Sequence, residues 1–110
     1  MDIEELIERY RQLADRYAPA RANREYIDEY KKTLLALLMK DAERGGVTSA
    51  VGQERDARAH ARYIELLDGL KAAVLEEEKI RYHMKATEWE IEIWRTKQAN
   101  ERAERRAYGA

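Results

Sequence analysis

The chain has 110 residues and a mass of 13.0 kDa, room for a single domain. Ala, Glu, Lys, Leu and Arg supply 64 of the residues, the composition of long helices and coiled coils, and 21 basic against 22 acidic side chains leave a net charge of −1, too small for charge-driven disorder. Five Gly, one Pro and no Cys exclude a disulfide scaffold, a thiolate metal site, a cysteine nucleophile and a loop-rich β-domain.

From Ile3 to Tyr17 the apolar residues Ile3, Leu6, Ile7, Tyr10, Leu13, Ala14 and Tyr17 follow the three-four spacing of one helical stripe. The pyrrolidine ring of Pro19 removes a donor and disfavours helical geometry at Ala18, so this helix is expected to span residues 2–18. Asn23 then offers a cap for a second helix over 22–44, whose stripe runs Ile27, Tyr30, Leu34, Leu37 and Leu38, widened by Leu35, Met39 and Ala42. Residues 45–52 are the richest in turn formers. Gly45 is placed for a left-handed helix end, and Thr48 or Ser49 for the cap of the next helix.

A third helix is expected over 50–107, with Gly69 the one internal point of weakness. The pairs Glu54–Arg58, Glu77–Arg81 and Glu101–Arg105 have the orientation that supports such a helix. The stretch from Gln53 to Ala107, read as one helix, spans roughly 80 Å at about 1.5 Å per residue. The expected fold is therefore one all-α domain over 1–110, two shorter N-terminal helices followed by a very long C-terminal helix, in a coiled-coil-like bundle.

The long helix gathers Ile64, Leu67, Lys71, Val74, Leu75, Glu78, Tyr82, Ala86, Trp89 and Ile93 on one broad face, with Ile80, Met84 and Ile91 opposite and Trp94 between. Apolar groups nearly all round residues 80–94 call for contact on more than one side. The two shorter helices do not supply enough surface, so a second copy of the chain is the expected partner, a closed homo-oligomer being the commonest assembly. Ile64, Leu67, Val74, Leu75, Tyr82, Met84, Trp89, Ile91, Ile93 and Trp94 form the expected interface. The spacing on the broad face is nearer an eleven-residue than a seven-residue repeat, which predicts a nearly straight or slightly right-handed bundle. Lys71 and Glu78 either pair across helices or lie at the margin of that face.

His60 and His83 stand about 35 Å apart on one straight helix, too far to share a metal within one chain. Glu76, Glu77, Glu78, Glu88, Glu90 and Glu92 read as a solvated acidic flank. No phosphate loop follows Gly45, Gly46 or Gly52, and Ser49 has no nucleophile pattern around it. No enzyme activity and no cofactor are expected. After Trp94 the balance changes: Arg95, Lys97, Arg102, Arg105 and Arg106 face Glu101 and Glu104, a local charge of +3, with Trp94 and Tyr108 available for stacking. Such a segment either binds single-stranded nucleic acid or stabilises the helix dipole by itself. No apolar run approaches the length of a membrane span, and Met1-Asp2-Ile3-Glu4-Glu5 is unlike a signal peptide, so a cytoplasmic protein without membrane contacts is expected.

The segment from Tyr82-His83-Met84-Lys85-Ala86 through Trp94-Arg95-Thr96-Lys97-Gln98 to Glu104 resembles the closing segment of small helical proteins of tailed bacteriophages and prophages. The Val47-Thr48 turn followed by a charged helix resembles them more loosely. Those proteins are often encoded beside single-strand annealing proteins and exonucleases. The resemblance implies a setting in phage DNA recombination or replication, in the host cytoplasm, with a phage annealing protein or a host protein as partner; no site residue is implied by it. The expected function is a non-enzymatic oligomeric accessory protein, acting through protein contacts and single-stranded DNA. The alternatives are an inhibitor of a host defence or nucleic-acid enzyme, its acidic flank meeting a basic groove, and a structural spacer in virion assembly.

Overall fold

A computed structural model describes residues 2–109. They form three helices, α1 (Ile3–Arg44), α2 (Ala50–Ala59) and α3 (Ala61–Ala107), with no strand among the described residues. The expected class holds: all-α, with two shorter helices before a very long C-terminal one. The residues are shared out differently, however, and each difference has a local cause.

The expected break at Pro19 does not occur; α1 is one helix of 42 residues with Pro19 inside it. Pro19 has no N–H for the carbonyl of Asp15, a defect worth about 3 kcal/mol in a helix interior. Both residues are exposed, so water can satisfy that carbonyl, and the packed stripe on either side holds the helix together. At the start of α1 the Glu5 N–H donates to Asp2 Oδ1 at 2.8 Å, and Glu4 and Glu5 suit the positive end of the helix dipole. Its end is a Schellman turn: the Val47 N–H donates to the Ala42 carbonyl and the Gly46 N–H to that of Glu43, both at 3.0 Å. The left-handed residue is Gly46, at φ 102, one position after the expected Gly45.

Ser49 caps α2, its Oγ accepting from the Gly52 N–H at 3.0 Å. Gly52, in the first turn of α2, is buried, and a Cβ there would lie 2.8 Å from Ser49 Oγ and 2.9 Å from Val47 Cγ1, so any larger residue must push these side chains aside. The long helix expected from residue 50 breaks at His60, not at Gly69. His60 ends α2 with an extended backbone, φ −68 and ψ 140, and opens α3 by accepting the Arg62 N–H on its Nδ1 at 3.0 Å. The imidazole does what an Asn side chain does at a helix start, which sequence periodicity does not register. Gly69 lies within α3 without interrupting it.

The chain divides into two compact units, residues 1–18 with 78–110 and residues 19–77. In the second unit α1 runs antiparallel to the first part of α3, and α2 closes one end. Its core is Leu34, Leu38, Ala57 and Tyr63, with Tyr30, Leu35, Met39 and Leu66 packed against it. One covered stripe of α1 runs Ala20, Arg24, Ile27, Lys31, Leu34 and Leu38, with Tyr30, Leu35, Met39 and Ala42 covered beside it; along α3 the stripe is Tyr63, Leu66, Leu70, Ala73 and Glu77. In the first unit the covered stripe is Ile3, Leu6, Tyr10, Leu13 and Tyr17 on α1, with Arg9 and Ala14 partly covered beside it, and Ile80, Met84, Thr87, Ile91, Trp94 and Gln98 on α3, with Glu78 and Arg81 partly covered beside it. Within both units the steps alternate between three and four, the seven-residue repeat of left-handed coiled-coil packing. The eleven-residue spacing expected to organise the bundle belongs to a different face of α3.

Candidate interaction face of the third helix

Burial of one stripe of α3 against α1 leaves the opposite stripe in water. In the second unit Ile64 is 49% exposed, Leu67 39%, Val74 41% and Leu75 60%; in the first unit Tyr82 is 60%, Trp89 67% and Ile93 55% exposed. These are the residues of the broad face expected to meet another copy, and all of them are exposed. The other three expected interface residues, Met84, Ile91 and Trp94, are half-buried against the first unit's α1 segment. They occupy the seven-residue stripe that matches α1.

The outer apolar face has ordered surroundings in each unit. In the first unit Tyr10, Glu88, Trp89, Ile91 and Glu92 line an open cleft of about 340 Å³. The Tyr10 hydroxyl donates to Glu88 Oε1 at 2.9 Å, which pushes the phenol above its ordinary range because ionisation would face the carboxylate. The Arg81 guanidinium lies 4.9 Å from the Tyr82 ring centre and Lys85 Nζ 6.0 Å from it, holding that exposed ring between two cations. In the second unit the rings of Tyr26 and Tyr30 are parallel with centres 6.1 Å apart, Tyr26 exposed and Tyr30 half-buried. A second cleft of about 350 Å³ there runs past Ile27, Leu34, Leu66 and Gly69.

The acidic segment is less free than composition suggests. Glu77 is buried and accepts two bonds from Arg24, at 2.7 and 3.1 Å, while Arg81 closes on Glu78 at 2.6 Å. The expected Glu77–Arg81 support pair is thus replaced, because Glu77 lies on the stripe facing α1. Glu54–Arg58 and Glu101–Arg105 form as expected, at 2.9 and 3.9 Å. Both Arg24 and Arg81 are held above the ordinary guanidinium range by their carboxylate partners. Glu90 meets Arg9 at 3.2 Å and Glu92 meets Arg95 at 3.2 Å. An acidic flank so engaged offers little spare charge to an external basic groove.

The basic residues Arg95, Lys97, Arg102, Arg105 and Arg106 are all exposed, and every described residue from Ala99 onward is exposed too. Trp94, expected to be a stacking platform beside them, is half-buried toward α1; Tyr108 is 89% exposed. His83 is exposed and offers its carbonyl to Thr87 Oγ1 at 2.9 Å. Among the described residues no group of three or more His, Asp or Glu is arranged to hold a metal ion, and no helix is long and apolar enough to cross a membrane. Sequence reasoning missed the Arg24–Glu77 pair and the buried Thr87. The signal was the strict three-four alternation from Tyr63 to Gln98, obscured because several of its members are polar.

No family model, no curated protein and no solved structure matches the chain.

Proposed function

We propose that this chain is a non-enzymatic helical interaction protein that acts as a homo-oligomer, further copies covering the outer face of α3. The observation that carries the reading is the exposure of Leu75, Tyr82 and Trp89, at 60%, 60% and 67%, on a helix whose opposite stripe is already occupied by α1. Large apolar side chains repeated at helical spacing are what a partner helix covers. A second copy brings a helix with a stripe of the same spacing, and symmetric self-association is the usual outcome for such a surface.

The resemblance of residues 82–104 to small phage and prophage proteins sets this assembly in phage DNA recombination or replication, with a single-strand annealing protein as the partner to be served. The inhibitor reading is less well supported, since Glu77, Glu78, Glu88, Glu90 and Glu92 already have partners within the chain.

Light scattering on the full chain tests the proposal. The expected mass is a multiple of 13.0 kDa at micromolar concentration. Leu75→Glu and Trp89→Glu are expected to shift it toward monomer while leaving helical circular dichroism intact. A wild-type monomer at every concentration overturns the reading. Recovery of a phage annealing protein on the immobilised chain supports the accessory role, whereas recovery of one host nucleic-acid enzyme supports inhibition.

A further inference from the structure

The charge of the molecule is unevenly placed. From Arg95 onward five basic residues face two acidic ones, although the whole chain carries −1. Winding this part of α3 at about 100° per residue brings Arg95, Arg102 and Arg106 within roughly 40° of one another. Glu101 and Glu104 fall on other sides, Glu104 nearly opposite. Arg102 and Arg106 have no carboxylate partner among the described residues, and Arg95 shares only Glu92, on its own helix. Several guanidinium groups elsewhere are closed by acids, as in Arg24–Glu77, Arg58–Glu54 and Arg81–Glu78. The contrast is structural: in the first unit α1 begins at Ile3, and Gln98 is the last α3 residue that is not fully exposed. Among the described residues no carboxylate of another helix pairs with Arg102 or Arg106.

We propose that the Arg95, Arg102 and Arg106 stripe binds the phosphodiester backbone of a nucleic acid. The proposal does not depend on self-association. Along the helix the guanidinium stems stand about 10.5 and 6 Å apart, at 1.5 Å per residue. A strand that places a phosphate every 3.4 Å along the duplex axis, or more widely when single, meets all three at once without any matched sequence. Arginine suits that task because its planar fork engages two phosphate oxygens together. The outer apolar residues Tyr82, Trp89 and Ile93 lie on a different side of α3, so nucleic acid and a second copy do not compete for one surface.

The test is fluorescence anisotropy with labelled single-stranded and duplex DNA of about 25 nucleotides, using the full chain between about 50 and 200 mM salt. The triple substitution Arg95→Gln, Arg102→Gln and Arg106→Gln is expected to weaken binding at least about tenfold at the lower salt. It should reduce the slope of log affinity against log salt by about 2 for single strands or about 2.7 for duplex. A control with the same charge change elsewhere, Arg11→Gln, Arg44→Gln and Arg55→Gln, is expected to stay within about twofold of wild type. Whichever DNA form binds more tightly identifies the backbone geometry read by the stripe. Absence of binding at the lower salt, equal losses in the two triple variants, or equally tight binding of labelled polyglutamate overturns the proposal.

Discussion

The two sides of α3 have different surroundings. The stripe packed against α1 contains Glu77, Thr87 and Gln98 among its apolar members, whereas the opposite stripe, with Leu75, Tyr82, Trp89 and Ile93, remains in water. Both stripes mix apolar with polar members, Lys71 and Glu78 lying on the outer one, so hydrophobicity alone does not choose between them. What decides is period: in each unit α1 repeats its covered residues by alternating steps of three and four, and only one stripe of α3 keeps the same step. The outer stripe follows an eleven-residue repeat, which calls for the opposite supercoil hand, so it does not match the seven-residue stripe of α1. The buried Arg24–Glu77 pair adds to the choice, because it fits one register of the second unit and leaves a buried charge unpaired in others.

The largest test of this difference compares Ile80→Ala with Ile93→Ala. Ile80 is 2% exposed, and its truncation is expected to cost about 2–5 kcal/mol in urea unfolding. Ile93 is 55% exposed, and its truncation should leave unfolding of the monomer within about 0.5 kcal/mol while weakening self-association. Equal losses of stability would mean that the two sides are not distinct.

The next test concerns the polar member of the seam. Arg24→Leu is expected to destabilise more than Glu77→Leu, because the first takes two charged hydrogen bonds from Glu77, the more buried of the two. The double replacement should recover most of that loss, since apolar residues can take the place of a buried ion pair. Thermal melts of the three variants measure the order. A double variant as unstable as Arg24→Leu would remove the pair's role in choosing the stripe.

A smaller effect of about 1–3 kcal/mol is expected for Gly52→Ala, whose new methyl group would press on Ser49 Oγ and Val47 Cγ1. Ser49→Ala should cost about 1 kcal/mol through loss of the α2 cap. The smallest effect is pH-dependent. The Tyr10 phenol is raised above its ordinary value by Glu88, so its contribution is complete below about pH 10 and disappears as pH rises through the higher folded value. Because the site is largely open to solvent, the effect should stay below about 0.5 kcal/mol, and Tyr10→Phe should abolish that part of the alkaline loss.

The helical class and the turn after α1 were legible because composition and glycine placement report them locally. Ser49 was among the expected caps, and the left-handed glycine was displaced by one residue. Pro19 and His60 misled for related reasons: a helix tolerates an exposed proline when packing holds both sides, and a histidine can cap a helix as Asn does. Counting apolar residues found the outer face of α3 and set Met84 and Ile91 opposite it and Trp94 between, but did not tie that second side to α1. The alternation that would have done so is visible in the sequence only once polar seam residues such as Glu77 and Thr87 are admitted to the pattern.

The claim that a second copy covers the outer face of α3 is tested most directly at Trp89. With Trp94→Phe leaving Trp89 as the single tryptophan, acrylamide quenching can be followed across protein concentration. The account predicts quenching that falls as concentration rises and the indole becomes covered, and that recovers on addition of Leu75→Glu to the same chain. Quenching that stays high and constant from nanomolar to hundreds of micromolar protein would contradict it.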